Sequence, residues 1–200
     1  MFAIVESGSI TKYLSGNKGL KIGDIQYPPS IFTLWTESER NDIGIYTVEL
    51  DSTNRKDQTW YYNTDISYAF GSGKVTGTYG SATAKAYADA LFTQEDEDNG
   101  LGTKDDVKKE GLKTILIREV KTLAQSILSE TDWYIVRKAD TEEAVPSSIA
   151  THRAAVRSKQ ASMETAITNA ADTPALETLY TYTTTDGVTS RPLGDLPRLS

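Results

Sequence analysis

The sequence predicts an α+β protein in which a β-rich N-terminal module of short antiparallel strands is followed by a C-terminal antiparallel helical hairpin. Two observations carry this prediction. Up to Tyr79, short apolar and β-branched runs alternate with turns that contain glycine or proline, which is typical of short strands. From Leu112 onward, apolar residues recur at steps of three and four, which is typical of amphipathic helices.

The N-terminal module is expected to be mainly strand, with two helices inside it. The clearest strands are predicted at residues 2–5, 45–48 and 66–70. A short helix is expected near residues 37–42, because Thr36 and Glu39 have the spacing of a capping box. A second helix is expected near residues 82–92, where four side chains fall on one helical face: Ala84, Tyr87, Ala88 and Leu91.

Changes of composition place the domain boundaries. The β-rich module is assigned to residues 1–94, and the acidic, glycine-containing residues 95–103 are interpreted as a linker. Residues 95–100 partly match a calcium loop, but the glycine comes one position early and no glutamate stands where the twelfth ligand belongs. Residues 104–182 are assigned to the helical hairpin domain, and residues 183–200 to an extended tail.

Two long helices are expected to form the hairpin. The first has one apolar face: Leu112, Leu116, Val120, Leu123 and Ile127. The second begins at Pro146 and places Ile149, Val156 and Met163 seven residues apart, with Arg153 among its inward positions. Residues 130–138 lie between the two helices and contain two adjacent aromatic residues. We expect this stretch to be the hinge, with Trp133 wedged into it.

Charge and composition exclude several classes of function. The net charge of −7 disfavours binding to nucleic acid, which requires clustered lysine and arginine. The chain has no cysteine and one histidine, His152, so thiolate metal sites and paired imidazoles are excluded. No apolar run approaches the ~18 residues of a membrane span, and the N-terminus does not resemble a signal peptide. A cytoplasmic protein without membrane insertion and without a cofactor is therefore expected.

No catalytic motif is present in the sequence. A hydrolase with His152 as its base needs a nucleophile and an orienting acid, and the sequence leaves Ser129 and Asp132 open as its partners. A surface or interface histidine is the simpler interpretation. We therefore predict that the protein is not an enzyme.

Aromatic residues and arginine offer a better functional case, because both are enriched where proteins meet proteins. The candidate interface residues are Trp133, Tyr134, Arg137, Tyr180, Tyr182 and Trp35. The alternative for the residues near the hairpin is that they close its own small core. A second functional hypothesis is a glycan-binding β-module that stacks sugars on Trp60, Tyr61 and Tyr68. The simpler interpretation is that aromatic residues in strands belong to the core or reflect strand propensity.

Two segments resemble bacteriophage tail assembly chaperones and tail-fibre assembly proteins. The first comprises Tyr27-Pro28-Pro29 through Trp35, followed by residues 36–40 and 43–45. The second comprises residues 129–133, Arg137-Lys138, Val145-Pro146 and residues 153–157, and His152 stands where the family pattern has tyrosine or tryptophan. The middle of the chain, from about residue 50 to about residue 100, matches no part of the family pattern.

This resemblance implies a non-enzymatic protein that docks tail or tail-fibre subunits, as an assembly factor or as a retained component of the virion. The implied partners are other phage tail or tail-fibre proteins, with homo-oligomers as a further option. The implied location is the host cytoplasm during assembly or the virion tail. A glycan-binding module of a tail fibre is the alternative within the same setting.

Overall fold

The computed structural model describes residues 1–199 and divides into two compact units, Met1–Thr83 and a second that begins at Ala84. The fold class is α+β, with strands dominating the N-terminal half and helices the C-terminal half, as the sequence predicts. The division between the units comes earlier in the chain than the predicted end of the β-rich module at residue 94.

Short strands form most of the first unit. They are β1 (Phe2–Glu6), β2 (Ser9–Leu14), β3 (Leu20–Ile22), β4 (Ile25–Tyr27), β5 (Ile45–Asp51), β6 (Tyr61–Tyr62), β7 (Ile66–Gly71) and β8 (Lys74–Tyr79), and β9 (Thr83–Ala84) lies where the units divide. Two short helices are α1 (Ile31–Leu34) and α2 (Glu37–Asp42). The capping box of α2 is confirmed, since the Glu39 amide donates to the Thr36 hydroxyl and the Thr36 amide donates to the Glu39 carboxylate.

The main sheet has five strands in the order β2-β1-β5-β8-β7. All neighbouring pairs are antiparallel except β5 and β8, which run parallel with Val48 opposite Val75. The sequence predicts antiparallel strands, and this pair is the exception, because the second arm of the β7–β8 hairpin, and not the first, meets β5. The two outer strands approach each other, and the Tyr13 and Tyr68 ring centroids lie 5.0 Å apart.

One apolar cluster lies at the centre of the first unit. Its buried members are Ile4, Leu20, Ile31, Phe32 and Ile45. Trp35 is half-buried against this cluster and meets Tyr27 edge-on, with the ring centroids 5.8 Å apart. Trp35 is therefore a packing residue of the first unit.

Helices form most of the second unit. They are α3 (Gln94–Asp98), α4 (Leu112–Ser129), α5 (Asp132–Thr141), α6 (Ser147–Asn169) and α7 (Thr173–Tyr180), accompanied by β10 (Ala90–Leu91), β11 (Val107–Lys109), β12 (Thr183–Thr185) and β13 (Val188–Ser190). Helices α4 and α6 are antiparallel, because Lys113 donates to the Thr168 carbonyl at one end and Arg153 to the Leu128 carbonyl at the other. The predicted helical hairpin is confirmed.

The hairpin core follows the predicted apolar pattern with one exchange. The buried residues of α4 are Leu112, Leu116, Val120, Ala124 and Ile127, and those of α6 are Ile149, Arg153, Val156, Met163 and Ile167. Leu123, predicted to face the core, is exposed, and Ala124 takes the inward position. An α-helix completes a turn every 3.6 residues, so a side chain one position along can replace the expected one.

The predicted helix at residues 82–92 is wrong, because its backbone caps α4. The amides of Leu112 and Lys113 donate to the carbonyls of Ala86 and Tyr87, and the Asp89 carboxylate accepts from the Gly111 amide. Groups used this way cannot make the i→i−4 bonds of a helix. A side chain at position 111 would collide with the backbone of Ala88, which explains the glycine there.

The predicted acidic linker at residues 95–103 is also wrong over its first half, which belongs to helix α3. Thr93 and Asp96 form a second capping box, with each side chain bonding the other's amide. The Lys108 ammonium lies 2.6 Å from the Asp96 carboxylate and, with the Thr93 bonds, lowers the pKa of Asp96 to about 2. The run of acids therefore starts a capped helical turn that is tied to β11.

The predicted extended tail at residues 183–200 is contradicted over residues 183–190. β12 and β13 form a hairpin around Asp186 and Gly187, which both have positive φ. Beyond it, Leu193 and Leu196 are buried, and the Leu193 carbonyl accepts from the Lys159 ammonium at 2.7 Å. Leu193 and Leu196 are therefore packed, whereas Val188 and Leu199 are exposed. Position 200 lies outside the described residues.

Candidate functional site

Helix α5 exposes its most apolar side chains. It follows α4 directly, and none of its ten residues is buried. Trp133 is 51% exposed and Val136 66% exposed, and Ile135 is exposed as well. The prediction of Trp133 as a buried wedge is therefore wrong, although the chain does reverse direction in this region.

Arg153 is buried at the junction of α4 and α5. Its side chain is 6% exposed and donates to the Leu128 carbonyl and the Thr131 hydroxyl, both at 2.7 Å. The same guanidinium pairs with the Asp132 carboxylate at 2.8 Å. A cation at the C-terminal end of α4 also favours that helix electrostatically. Arg153 thus fastens the end of α4 to the start of α5 through polar contacts.

An arginine lies beside two neighbouring aromatic rings on α5, and with Glu143 they form what we call the α5 cluster (Trp133, Tyr134, Arg137 and Glu143). The rings of Trp133 and Tyr134 lie 3.7 Å apart, and Arg137 lies 4.9 Å and 5.3 Å from the two ring centroids. The Glu143 carboxylate is 3.2 Å from the Arg137 guanidinium. These contacts hold the indole in one orientation at the surface.

The apolar side chains of α5 point away from the rest of the unit. At 100° per residue, Trp133, Ile135, Val136 and Ala139 lie within an arc of about 160°. All four are exposed, and we call them the α5 outer face. The half-buried residues are Tyr134 and Arg137. An ordinary surface helix has the reverse arrangement, with its apolar side facing the core.

A second arrangement of the same kind lies at the C-terminal end, and we call it the tail cluster (Tyr180, Tyr182, Arg191 and Asp195). Arg191 lies 5.2 Å and 5.1 Å from the two tyrosine ring centroids. The Asp195 carboxylate lies 2.6 Å from Arg191 and accepts from the Tyr182 hydroxyl at 3.1 Å. Burial is the main reason that the pKa of Tyr180 is raised to about 12.

The six predicted interface residues therefore do not form one site. Trp133, Tyr134 and Arg137 share the α5 cluster, and Tyr180 and Tyr182 belong to the tail cluster. Trp35 lies in the first unit.

The predicted glycan-stacking residues are mostly inaccessible. Trp60 is 5% exposed and Tyr61 4% exposed, so neither ring presents a face to a sugar, and the prediction is wrong for these two residues. Lys56 lies over the Tyr61 ring at 4.3 Å. Tyr68 is half-buried against Tyr13.

The groups left open as partners for a catalytic His152 are used in structural bonds. The Ser129 hydroxyl donates to the Ser126 carbonyl at 2.7 Å, and the Asp132 carboxylate pairs with Arg153. His152 itself is half-buried on α6. Its imidazole therefore has neither of the two partners that the sequence left open for a triad.

Sequence reasoning missed Ile135, Val136 and Ala139 as candidate functional residues. The signal was present, because four bulky apolar residues in succession, from Trp133 to Val136, cannot all face one side of a helix.

Within residues 1–199, no helix is long and apolar enough to cross a membrane. Over the same residues, no three His, Cys, Asp or Glu side chains are grouped so as to hold a metal ion. Comparison with protein-family models, with curated proteins and with solved structures finds no match to this chain.

Proposed function

We propose that this chain is a non-enzymatic bacteriophage tail-associated protein that docks tail or tail-fibre subunits, as an assembly factor or as a retained virion component. The observation that carries the proposal is the α5 outer face, on which a helix without a single buried residue presents Trp133, Ile135, Val136 and Ala139. Exposed apolar surface of this kind marks a site where another protein binds.

The resemblance to tail assembly proteins supports the same assignment, because its residues have a shared structural role. Thr131, Asp132 and Arg153 belong to the second matching segment, and their side chains bond one another at the junction of α4 and α5. That junction fixes where α5 begins and hence where Trp133 points. The polar residues of this segment thus fix the position from which Trp133, in the same segment, is exposed.

Docking at this face has a clear physical source. Fully burying a large apolar side chain is worth about 1.5–3 kcal/mol, and the half-exposed residues of the outer face can still gain part of this. Tryptophan and arginine are the residue types most often found at the centre of protein interfaces. Since Trp133 is already held by Tyr134 and Arg137, little side-chain freedom is lost when a partner covers it.

Two measurements test this proposal. Mass spectrometry of purified particles distinguishes the two roles. A retained virion component leaves peptides of this chain in the particle, and an assembly factor that acts only in the host cytoplasm leaves none. Purified tail and tail-fibre subunits are then titrated against the wild-type chain and Trp133→Ala by calorimetry. We expect binding that Trp133→Ala weakens at least about 10-fold.

Matched variants identify the surface responsible. Leu101→Ala removes an exposed apolar side chain outside α5 and is expected to leave binding unchanged. Tyr182→Ala alters the tail cluster and is also expected to leave it unchanged. Subunits that bind neither wild type nor any variant would contradict the proposal, as would binding lost only on Tyr182→Ala.

A further inference from the structure

The C-terminal end of α5 carries acids where a helix disfavours them. Asp140 lies in the last turn, at the negative end of the helix dipole, where a carboxylate is destabilising. Glu142 follows with φ of 61°, a left-handed conformation that side chains other than glycine adopt at a cost. Local preferences are therefore violated twice within three residues, which is typical of positions kept for binding.

These two acids receive no compensating cation from their own chain. Among residues 1–199, neither the Asp140 nor the Glu142 carboxylate forms an ion pair, whereas Asp132 is paired with Arg153 and Glu143 with Arg137. On the helical wheel, Asp140 falls between Trp133 and Val136, within the outer face. Lys138 falls outside that arc. The outer face is thus an apolar surface with unpaired negative charge at one end.

Resting on the function proposed above, we propose that the α5 outer face binds a basic amphipathic helix of a partner subunit. The apolar side of that helix packs on Trp133, Ile135, Val136 and Ala139, and its lysine or arginine side chains lie opposite Asp140 and Glu142. Helix α5 has no open strand edge, so a partner meets its side chains and adds no strand. Two helices that bury such faces pack 8–10 Å apart, and small residues such as Ala139 allow close approach.

Charge complementarity argues for a basic partner over a neutral or acidic one. The whole chain carries a net charge of −7, so a positive helix is attracted before contact and an acidic helix is repelled. Complementary charge at an interface mainly provides specificity and faster association. The apolar contacts then supply most of the affinity.

The test uses two synthetic helical peptides of equal length with leucine at the same positions, one with lysine and the other with glutamate at all remaining charged positions. Binding to the wild-type chain is measured by calorimetry at low and high salt. The lysine peptide is expected to bind, and the glutamate peptide is expected not to bind. Binding of the lysine peptide should be weaker at high salt, because salt screens exposed charges.

Variants connect this binding to α5. Asp140→Lys is expected to weaken binding of the lysine peptide about 10-fold. Lysine near a helix C-terminus favours the helix, so weaker binding does not come from unfolding of α5. Asp106→Lys makes the same charge change at an exposed position outside α5 and is expected to leave affinity within about 2-fold. Trp133→Ala is expected to weaken binding about 10-fold.

Three outcomes overturn the basic-helix assignment: equal binding of both peptides, equal effects of Asp140→Lys and Asp106→Lys, or a dimer in sedimentation equilibrium that Val136→Ala dissociates. The last outcome would make a second copy of this chain the occupant. If purified tail subunits still bind in a manner that depends on Trp133, only the partner chemistry is wrong. If that dependence is also absent, the proposed docking function fails with it.

Discussion

The α5 cluster and the tail cluster share their chemistry, an arginine beside two aromatic rings and a carboxylate, but differ in what lies next to them. Beside Arg191 the chain buries Leu193 and Leu196, so the tail cluster covers an internal contact. Beside Arg137 the chain leaves Ile135 and Val136 exposed. An arginine among aromatic rings therefore does not by itself mark an interface, and the neighbouring apolar residues decide whether a surface remains for a partner.

Truncating a tail leucine should have the largest effect on stability. Leu193 is 2% exposed, so Leu193→Ala should lower the free energy of unfolding by about 2–5 kcal/mol through lost burial and a cavity. Urea denaturation measures this loss. Pro192→Ala changes an exposed neighbour and serves as the control. A loss below about 0.5 kcal/mol for Leu193→Ala would mean that the tail is not packed as described.

Removing Arg153 should come next. Arg153→Ala takes a charged donor from the Leu128 carbonyl and the Thr131 hydroxyl and should cost about 2–3 kcal/mol. Asp132→Asn weakens the ion pair between Arg153 and the exposed Asp132 carboxylate, and it should cost less than about 1 kcal/mol. Thermal unfolding of both variants tests this order. Equal losses would show that the ion pair, and not the carbonyl contact, fastens α5.

The tail cluster should also have a characteristic titration. Because the pKa of Tyr180 is raised to about 12 in the folded protein, this phenol keeps its proton over a range in which an unfolded tyrosine, with a pKa near 10, loses it. The folded state then binds more protons than the unfolded state, so Tyr180 makes stability fall as the pH rises from about 10 to about 12. The phenolate absorbance difference between wild type and Tyr180→Phe measures this pKa. A midpoint near pH 10 would contradict the burial.

The smallest change in stability should come from the α5 outer face. Val136→Ala should alter the free energy of unfolding by less than about 0.5 kcal/mol, because the side chain is 66% exposed. Chemical denaturation alone provides the measurement, and Val156→Ala, a matched change on the buried side of α6, should cost more. A large loss for Val136→Ala would place this residue in an internal contact and remove the difference between the two clusters.

The helical hairpin was predictable because its signal is periodic and local. Leu116, Val120 and Ile127 repeat at the helical spacing, and Pro146 stands one residue before α6. The capping box of Thr36 and Glu39 was equally local. Arg153 could be placed on the inward side of α6, although its partners Leu128 and Thr131 could not be identified.

The predictions that proved wrong depended on contacts between residues that are distant in the sequence. Ala84, Tyr87, Ala88 and Leu91 have helical spacing. However, the first turn of α4 bonds to the carbonyls of Ala86 and Tyr87 and to the Asp89 carboxylate. The parallel pairing of β5 with β8 was hidden for the same reason, since no local pattern states which arm of a hairpin joins a sheet. At the candidate site, the sequence predicts Trp133 both as a buried wedge and as an interface residue. The wedge is wrong, although a bulky apolar run is ordinarily buried.

The cap on α4 has a practical consequence for cutting the chain. Residues 86–89 bond the first turn of α4, and the buried Thr173 donates to the Lys85 carbonyl at 2.6 Å. A fragment that starts at residue 104 would lack residues 85–89 and should fray at α4, whereas one that starts at Ala84 keeps them. Limited proteolysis of the two fragments would compare their integrity, and the longer one is the sensible choice for isolating the helices.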